Sequence, residues 1–572
     1  MLSARTLCFL SSSIIAALIA FAATFSQKSS AKTYCYKSIT LDSDLAKTDK
    51  APNCFTVSAD GLFSRVFYRN GVYVEKSHVI PGLWDGHGHL LQYGELLQSV
   101  NLFGVQSLNE AIERIRSYTR QHPGLGTSKE WIRGVGWDQA AFGRYPIAIA
   151  NGTKADLEAD SELKGKKIMI DRIDVHCIWV SQAVLDLLPN ALPQVPGGEI
   201  ITNPGPGVFC DNAMDIVLQY WPKPNKEKKT EFVKAAMQEL NKVGLVGMHD
   251  AGVTPSDLRL YKELADTDIW TVRVYAMLEC ETRNTFCEED AHILRQEDGK
   301  GSLLKSRSVK LFADGALGSW GSAMIEPYAD RPSMSGSLLV NASTLSSLAR
   351  TWAGIGYQVN IHAIGDLANR LAIDAMGDAY DVACPHLSAK DCQREYRFRI
   401  EHAQIIHPDD QERIFHLGII PSIQPTHATS DFPYAEDRLG KERTQTEAYR
   451  MRSLLSLNPV LGSDFPVEPP NPFEGIFAAV TRKSPKTGMG KNGNEEGWYT
   501  EETLSLSEAL RGFTTAPAHA AFMDGQAGII RKGAFADWVV LDSPLESLDP
   551  DQLRDLQVKA TWVKGRQVYR RT

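Results

Sequence analysis

Two histidines placed two residues apart are the first residues in the chain whose types and spacing could do chemistry. His87 and His89 lie in the stretch PGLWDGHGHL (81–90), which follows the apolar run 79–84 into a turn-rich end. On an extended strand, side chains at positions i and i+2 point the same way, so both imidazoles face one point and supply half of a metal site. Two partly solvated loop histidines would give the same pattern. The choice between them and a metal site therefore depends on residues further along the chain.

Four further polar residues occupy corresponding places in later segments. Lys310, His362, His402 and Asp464 each lie at or near the end of a different strand-like run. Histidine and lysine are costly to bury unless they are paired or coordinated, so none of them is expected in a purely apolar interior. Their joint occurrence with the His-x-His pair is far more specific than any one residue, and it predicts a metal site.

Alternating strand-like and helical segments would position these residues. Together with the opening motif, the strand-like runs number eight, which predicts repeated βαβ units and a parallel sheet. Eight repeats predict an α/β fold of the closed (β/α)8 type, whose reactive ends are the C-terminal ends of the strands. The seven later runs are GLVGMHDAG (244–252), TVRVYAML (271–278), SVKLFADGALGS (308–319), YQVNIHAIGD (357–366), FRIEHAQII (398–406), IIPSIQP (419–425) and PVLGSDFPV (459–467).

Length, composition and charge narrow the class of protein. The 572 residues suit one large α/β domain with insertions, and the 43% hydrophobic and 23% charged residues are ordinary for a globular protein. The net charge is −8 and no cluster of lysine and arginine is present. A basic surface that gathers phosphates is therefore missing, so we expect a small-molecule substrate and no nucleic acid.

Residues 1–26 have the pattern of a targeting segment. Arg5 precedes the apolar stretch 7–25, whose core is 14–25. That core is short for a membrane span of about 20 residues and typical of a signal peptide. An uncleaved signal-anchor is the alternative, and contact with a membrane is expected only in that case.

The cysteines agree with export. Cys8 lies in the targeting segment, and the other eight of the nine fall as close neighbours along the chain: Cys35 and Cys54, Cys177 and Cys210, Cys280 and Cys287, Cys384 and Cys392. An even count in an exported chain favours disulfides, although sequence alone does not fix connectivity. We predict the bonds Cys280–Cys287 and Cys384–Cys392, since each closes a short polar stretch after a predicted strand or helix.

Two glycosylation sequons are compatible with the same compartment. They are Asn151-Gly-Thr153 and Asn341-Ala-Ser343, and such triplets also arise by chance. The chain is thus expected in the secretory pathway, either secreted or in the lumen of the endoplasmic reticulum.

One segment does not follow the strand and helix alternation. Residues 140–230 are rich in glycine, proline and polar residues, which indicates an inserted segment that faces the substrate. Within it, His176 stands among apolar residues in DRIDVHCIWV (171–180). A buried structural histidine and a contact with substrate are both open for this residue.

With its His-x-His motif and the strand-end residues Lys310, His362, His402 and Asp464, the chain resembles the metal-dependent amidohydrolase superfamily and, within it, the amidohydrolase-3 or YtcJ-like family. The resemblance covers most of residues 75–570. The matching stretches are PGLWDGHGHL, DGALGSWGSA (314–323), NIHAIGDLA (360–368), RIEHAQ (399–404), LGSDFPV (461–467) and GRQVY (565–569).

The resemblance implies a barrel flanked by a small β-sandwich that both chain ends build. The implied parts are 32–78 and 521–572 for the sandwich, and 79–520 for the barrel with its insertion at about 140–230. The segment 33–78 departs from the family because it has cysteines and poor strand periodicity, which leaves its pairing in the sandwich open.

The resemblance also assigns roles to the strand-end residues. His87 and His89 resemble first-strand ligands of one metal ion, and His362 and His402 resemble ligands of a second or shared ion. Lys310 matches a lysine that is carboxylated and bridges two ions, while an unmodified Lys310 paired with Asp314 is the alternative. One or two divalent ions are implied; imidazole and carboxylate oxygen suit zinc, and manganese and iron stay open on ligand type alone.

Asp464 matches an aspartate that both ligates metal and takes the proton from the attacking water. Three further residues are weighed beside it. His176 could stabilise the oxyanion or touch substrate, and Asp366 could orient a ligand or cap the next helix. Glu401 is expected to face away from His402 across its strand, buried and paired.

The implied activity is hydrolysis of a non-peptide C–N bond in an amide, formamide or cyclic amide, by a metal-activated water. A binding protein without catalysis on the same fold is one alternative, although every expected ligand is present. A metal-dependent isomerase or esterase is another, since the fold does not fix the reaction.

Overall fold

The computed structural model describes residues 31–42, 51–70, 75–143, 146, 156–203, 205–296 and 302–572. The predicted targeting segment 1–26 and the sequon at Asn151 lie outside this part of the chain. Within it, no helix is both long and apolar enough to cross a membrane.

The strands are numbered in chain order. They are β1 (Lys32–Ile39), β2 (Cys54–Val57), β3 (Phe63–Phe67), β4 (Glu75–Pro81), β5 (Leu83–Gly88), β6 (Val100–Asn101), β7 (Ile132–Trp137), β8 (Ile168–Arg172), β9 (Cys177–Val180), β10 (Gly198–Ile201), β11 (Val208–Asp211), β12 (Leu245–Val253), β13 (Arg273–Leu278), β14 (Leu304–Phe312), β15 (Gln358–Ala363), β16 (Arg399–His402), β17 (Ile420–Ile423), β18 (Val460–Leu461), β19 (Trp538–Leu541), β20 (Ala560–Val563) and β21 (Arg566–Arg570).

The α-helices are numbered in the same way. They are α1 (Leu90–Leu97), α2 (Leu108–Gln121), α3 (Gln139–Phe142), α4 (Gln182–Leu185), α5 (Asp215–Leu218), α6 (Lys226–Lys242), α7 (Pro255–Leu264), α8 (Glu288–Leu294), α9 (Ala342–Gly354), α10 (Asp366–Ala383), α11 (Ala389–Tyr396), α12 (Pro408–Leu417), α13 (Pro425–Asp431), α14 (Ala435–Leu439), α15 (Lys441–Thr446), α16 (Pro472–Thr481), α17 (Leu506–Gly512), α18 (Thr515–Ala520) and α19 (Pro550–Leu553).

An eight-stranded parallel sheet forms the centre of the molecule, and it consists of the eight strands predicted from the sequence. The strand order is β18-β17-β16-β15-β14-β13-β12-β5, so consecutive strands are neighbours. Helices between the strands cover its outer face, and the buried residues of strands and helices form one large hydrophobic core. The predicted (β/α)8 barrel is therefore confirmed.

The first and last barrel strands meet at the residues that the sequence pointed to. Gly88 and Phe465 form a parallel bridge. The Asp464 N–H donates to the His87 carbonyl at 2.7 Å, and the His89 N–H donates to the Phe465 carbonyl at 2.8 Å. These backbone bonds place the segment after β18 directly beside the His-x-His motif.

A second sheet is inserted between the first two barrel strands. It has six strands in the order β10-β11-β9-β8-β7-β6 and its own hydrophobic cluster. The sheet begins at Val100, well before the predicted boundary at residue 140. Residues 131–138 (WIRGVGWD) contain β7, which pairs in parallel with β6 and β8.

Both chain ends build a seven-stranded flanking sheet, in the order β21-β20-β19-β4-β1-β2-β3. Phe55 on β2 and Trp538 on β19 have ring centroids 4.9 Å apart, although their strands are three places apart in this order. Neighbouring strands are spaced at about 4.8 Å, so the sheet curls over a shared core. The open pairing of segment 33–78 is thus resolved: β1 pairs with β2 and with β4.

Four disulfides cross-link the structure. The predicted bonds Cys280–Cys287 and Cys384–Cys392 are confirmed, and the two other neighbouring pairs are also joined, as Cys35–Cys54 and Cys177–Cys210. Four disulfides are compatible with an oxidising, extracellular or secretory compartment.

Peptide mapping without reductant tests this connectivity. We expect the purified protein to yield the four linked pairs, because in the structure each pair is bonded. Recovery of Cys280, Cys287, Cys384 or Cys392 as free thiols, or in crossed pairs, would contradict the expectation.

Candidate metal centre

A cavity of about 520 Å³ opens at the C-terminal ends of the barrel strands, between the barrel and the inserted sheet. Every site residue predicted from the sequence lines it. Five strands of the barrel supply six of them and the inserted sheet supplies the seventh: His87, His89, Lys310, His362, His402, Asp464 and His176.

The donor atoms at one end of the cavity have the spacing of metal ligands. The Nε2 of His87 lies 3.4 Å from Oδ1 of Asp464, and the Nε2 of His89 lies 3.1 Å from the same oxygen. Two donors bound at about 2.1 Å to a tetrahedral ion lie about 3.4 Å apart. Donor atoms of His87, His402 and Asp464 also lie within 4.8 Å of one another, so these residues fit one divalent ion.

Lys310 and His362 extend this group. The Nζ of Lys310 lies 3.4 Å from Nε2 of His87, and burial lowers the pKa of Lys310. The His362 ring centroid lies 4.5 Å from that of His402, and its Nε2 is buried with no hydrogen-bond partner among the described residues. An orphaned buried nitrogen is costly, and it is available to a ligand.

Asp314 is not the partner of Lys310. Its carboxylate accepts hydrogen bonds from the backbone N–H groups of Ala323, Ile364 and Gly365. It therefore ties the loop after β14 to the end of β15. The alternative of an ion pair between Lys310 and Asp314 is wrong.

Two histidines of the candidate metal site are oriented by oxygen atoms that accept from their Nδ1 atoms. The Nδ1 of His87 donates to Oε2 of Glu401 at 2.5 Å, and the Nδ1 of His402 donates to Oε1 of Gln424 at 3.0 Å. These oxygens only accept hydrogen bonds, so each Nδ1 carries the proton and each Nε2 keeps its lone pair. Such partners fix ring orientation and raise the basicity of a metal-binding histidine.

Glu401 is buried and paired as expected, but its direction was predicted wrongly. It contacts His87, whose ring centroid also lies 4.7 Å from that of His402, so neighbouring residues of one strand face the same site. The backbone is left-handed at His402 (φ 72°) and Ala403 (φ 44°), which breaks the strand alternation, and Asp464 (φ 62°) is left-handed too. Strained backbone of this kind clusters at functional sites.

The charges around Glu401 keep it ionised. Burial acts to raise its pKa, but Arg399 and the hydrogen bond from His87 outweigh burial, and the pKa lies below its ordinary range. Arg399 is itself fully buried, with its Nε 2.8 Å from Oε1 of Glu401. Burial, followed by the nearby Lys310, lowers the pKa of His87 to about 4, so the ring is neutral at pH 7, as a ligand must be.

Asp464 is also ionised at neutral pH. Burial acts to raise its pKa, but His87, His89 and His402 outweigh burial, and the pKa lies well below its ordinary range. The residue is not a helix cap, because Asn471 caps α16.

Asp366 plays neither of its two predicted parts. Gly365, not Asp366, is the N-cap of α10, and Asp366 accepts the N–H groups of Ile325 and Leu367. It contacts the loop after β14 rather than a ligand.

His427 is a site neighbour that sequence reasoning missed. Its Nε2 lies 3.8 Å from Oδ2 of Asp464 and is buried without a hydrogen-bond partner among the described residues. Its ring is parallel to that of His402, with centroids 6.0 Å apart. The available signal was a histidine in the first turn of α13, directly after a barrel strand.

Replacing Gln424 by methionine should weaken metal binding about 10-fold. Methionine keeps the length of the side chain but removes the acceptor for Nδ1 of His402. A chelator-competition titration of the zinc dissociation constant measures the change. Gln411→Met is the matched control, because the side chain of Gln411 donates to the backbone carbonyls of Ile406 and Thr446, away from the candidate metal site. Equal affinity in both variants would contradict the role of Gln424.

Comparisons with known proteins find one matching family and several relatives. A model described as "Amidohydrolase family" matches residues 76–569. The Bacillus subtilis (strain 168) protein named "Putative amidohydrolase YtcJ" is 30% identical over 506 residues, which cover 86% of this chain and 89% of that protein. An Arthrobacter pascens protein named "N-substituted formamide deformylase" is 25% identical over 86% of this chain and 89% of its own length.

A solved structure shares the fold. The crystal structure of an uncharacterized metal-dependent hydrolase from Pyrococcus furiosus aligns with a TM-score of 0.67 and 24% identity, over 91% of this chain and 100% of that one.

Proposed function

Since this chain belongs to the amidohydrolase family, we propose that it is a metal-dependent hydrolase that cleaves a non-peptide C–N bond in an amide, formamide or cyclic amide. The observation that carries the proposal is the convergence of the His87, His402 and Asp464 donor atoms within 4.8 Å of one another at the mouth of the barrel. The similarity to the Arthrobacter deformylase supports a formamide as one substrate class.

The residues that would hold the metal follow from the donor geometry. His87, His89, His402 and Asp464 would bind one divalent ion, and His362 with Lys310 would complete a second or shared position. Nitrogen and carboxylate donors favour zinc. When bound, such an ion supplies Lewis acidity, which lowers the pKa of a coordinated water and polarises the scissile carbonyl.

Lys310 would take part in one of two forms. Burial lowers its pKa, which enlarges the neutral fraction of the amine, and carboxylation requires a neutral amine. An unmodified Lys310 would instead remain a hydrogen-bond donor beside His87.

The protein's own groups then move the proton and hold the substrate. Asp464 accepts the proton of the attacking water and returns it to the leaving nitrogen as a general acid. His176 faces the same cavity, and its Nδ1 donates to Asp211 at 2.8 Å. Burial acts to lower the pKa of His176, but Asp211 outweighs burial and raises it. In the protonated ring Nε2 also carries a proton, which it can donate to the oxygen that becomes negative in the transition state.

Elemental analysis and a substrate panel test the proposal together. We expect one to two divalent ions per chain, and turnover of N-formyl, N-acyl or cyclic amides that a chelator abolishes and zinc restores. The panel includes dipeptides and an ester, because the fold alone does not fix the reaction.

The possible results of the metal analysis and the substrate panel distinguish this hydrolase from the alternatives. The hydrolase assignment would be contradicted if protein never exposed to chelator contained no metal, or if metal-loaded protein turned over no compound. Either result would favour a binding protein. Turnover confined to dipeptides or to the ester would contradict the non-peptide C–N bond.

We also propose that the protein works in the secretory pathway. The four disulfides and the apolar segment 1–26 support this location. The sequon at Asn341 is exposed, so it is accessible for glycosylation, and membrane attachment would require that residues 1–26 stay uncleaved.

A further inference from the structure

His176 is held by a partner on the neighbouring strand of the inserted sheet. Its Nδ1 lies 2.8 Å from Oδ1 of Asp211, and its carbonyl accepts the Asp211 N–H at 2.8 Å. The carboxylate only accepts hydrogen bonds, so Nδ1 carries a proton, and Nε2 is the ring nitrogen that remains for a bound group. The His176 ring centroid lies 5.7 Å from that of His362, which places the pair at the edge of the metal centre.

A disulfide closes the two strands directly behind this pair. Cys177 follows His176, Cys210 precedes Asp211, and the two cysteines are opposite each other in the register of β9 and β11. Both cysteines are fully buried. The cross-link therefore fixes the separation of the two backbones at the level of the His176–Asp211 pair.

Two glycines of the barrel make room for the Asp211 carboxylate. Gly315 and Gly321 belong to the stretch DGALGSWGSA after β14, whose glycines have no part in the proposed chemistry. A Cβ on Gly315 would lie 2.7 Å from Oδ1 of Asp211, and one on Gly321 would lie 3.0 Å from Oδ2. Neither glycine has a positive φ, so the close approach of Asp211, and not the backbone, requires glycine there.

The backbone has a positive φ next to His176 and at Asp211. Val175 has φ 54°, which is a genuine outlier for a β-branched residue, and Asp211 has φ 50° with ψ −130°, outside the left-handed helical region. Such conformations persist where the surroundings over-determine them, and they cluster at functional sites.

We propose that Asp211 is a positioning residue that orients Nε2 of His176 toward the reacting group. The Cys177–Cys210 bond and the space beside Gly315 and Gly321, here called the glycine slot, hold Asp211 in place. The substrate-facing role of His176 rests on the proposed function, whereas the arrangement of the pair does not. The inserted sheet thus contributes a residue to the reaction. The fit of Asp211 into the glycine slot fixes the position of this sheet relative to the barrel.

Histidine NMR tests the arrangement without any substrate. In ¹⁵N-histidine-labelled, zinc-loaded full-length protein, with His176 assigned by its loss in His176→Gln, we expect a proton on Nδ1 in a strong hydrogen bond. Asp211→Asn and Gly315→Ala should each shift or remove that resonance. Gly124→Ala is the matched control, because nothing lies within 4 Å of a Cβ there, and the resonance should stay in place.

Turnover then tests the role, with the panel compound that the wild type hydrolyses fastest. Asp211→Ala and His176→Ala should each lower kcat about 10²-fold or more, the range for loss of one donor to a developing oxyanion, with metal content and melting temperature close to those of the wild type. Adding Gly315→Ala to Asp211→Ala should cause no further loss, since residues that act through one contact are not additive.

The outcomes separate this proposal from the proposed function. An unchanged His176 resonance in both Asp211→Asn and Gly315→Ala would overturn the positioning role even if the enzyme is active. Losses in kcat that add in the Asp211→Ala, Gly315→Ala double variant would also overturn it, because the glycine would then act through its own loop. If no compound is turned over, the proposed function fails, and the NMR result alone still decides the arrangement.

Discussion

Asp464→Asn is expected to lower kcat by about 10²- to 10⁴-fold, the usual contribution of a general base. Asparagine keeps the shape and one oxygen ligand but cannot accept the proton. His87, His89 and His402 remain around the position, so most of the metal should be retained. The melting temperature should stay close to that of the wild type, since Asp464 caps no helix.

The matched control is Asn471→Ala, which removes the real cap of α16. That variant should lose about 1 kcal/mol of stability and keep its kcat. Metal content, melting temperature and kcat measured on one preparation of each variant distinguish the two roles. If the Asp464→Asn enzyme binds metal and turns over at the wild-type rate, Asp464 is not the general base.

Glu401→Gln should weaken zinc binding about 10-fold, the lower end of the range for a change behind a metal-binding histidine, because the amide oxygen can still accept from Nδ1 of His87 but carries no charge. The same change leaves the Arg399 guanidinium buried without its counter-charge. Removing one partner of a buried ion pair costs about 3 kcal/mol or more of the free energy of unfolding. Urea unfolding of the metal-free proteins and a chelator-competition titration measure the two effects separately.

The stability effect of Glu401 should depend on pH in a defined direction. The folded state holds the pKa of Glu401 below its ordinary value, so the stabilisation is complete above about pH 4.3, the pKa in the unfolded chain. It is lost as the pH falls through the lower folded-state pKa. Wild type and variant should therefore converge in acid, and a difference that stays constant down to acid pH would show that the lost charge is not the cause.

The exposed pair Arg394–Asp391 offers the matched control for Glu401. Asp391 is 44% exposed and Arg394 is 72% exposed, and exposed ion pairs contribute little. Asp391→Asn should therefore change neither unfolding nor metal binding, and a loss of stability equal to that of Glu401→Gln would point to a general charge effect.

The barrel and the convergence of the candidate ligands could be predicted from local patterns. Each strand-like run shows in its own sequence both the strand and any polar residue at its end. Lys310, His362 and His402 each close an apolar run, and eight such runs give one arrangement of strand ends. The inserted sheet was placed too late in the chain, since the insertion was inferred from the glycine, proline and polar residues of 140–230, and β6 and β7 precede that stretch. The direction of Glu401 was missed because it depends on the left-handed backbone at His402, which no strand pattern shows.

Contacts between distant segments were equally hidden from sequence reasoning. His427 lies beside Asp464 only because α13 packs against the loop after the eighth strand. Asp211 meets Gly315 only because the inserted sheet docks on the barrel. Side-chain spacing along the chain carries no information on either contact.

The flanking sheet also fixes when the protein can finish folding. β4 runs straight into the first barrel strand, and its two neighbours are β1 and β19, the latter from near the end of the chain. A ribosome must therefore complete nearly the whole polypeptide before β4 gains its second partner, and until then one side of it is an open edge prone to pairing with other chains. Chains stopped before residue 538 should accordingly aggregate or be degraded, although every metal-site residue would already have been made.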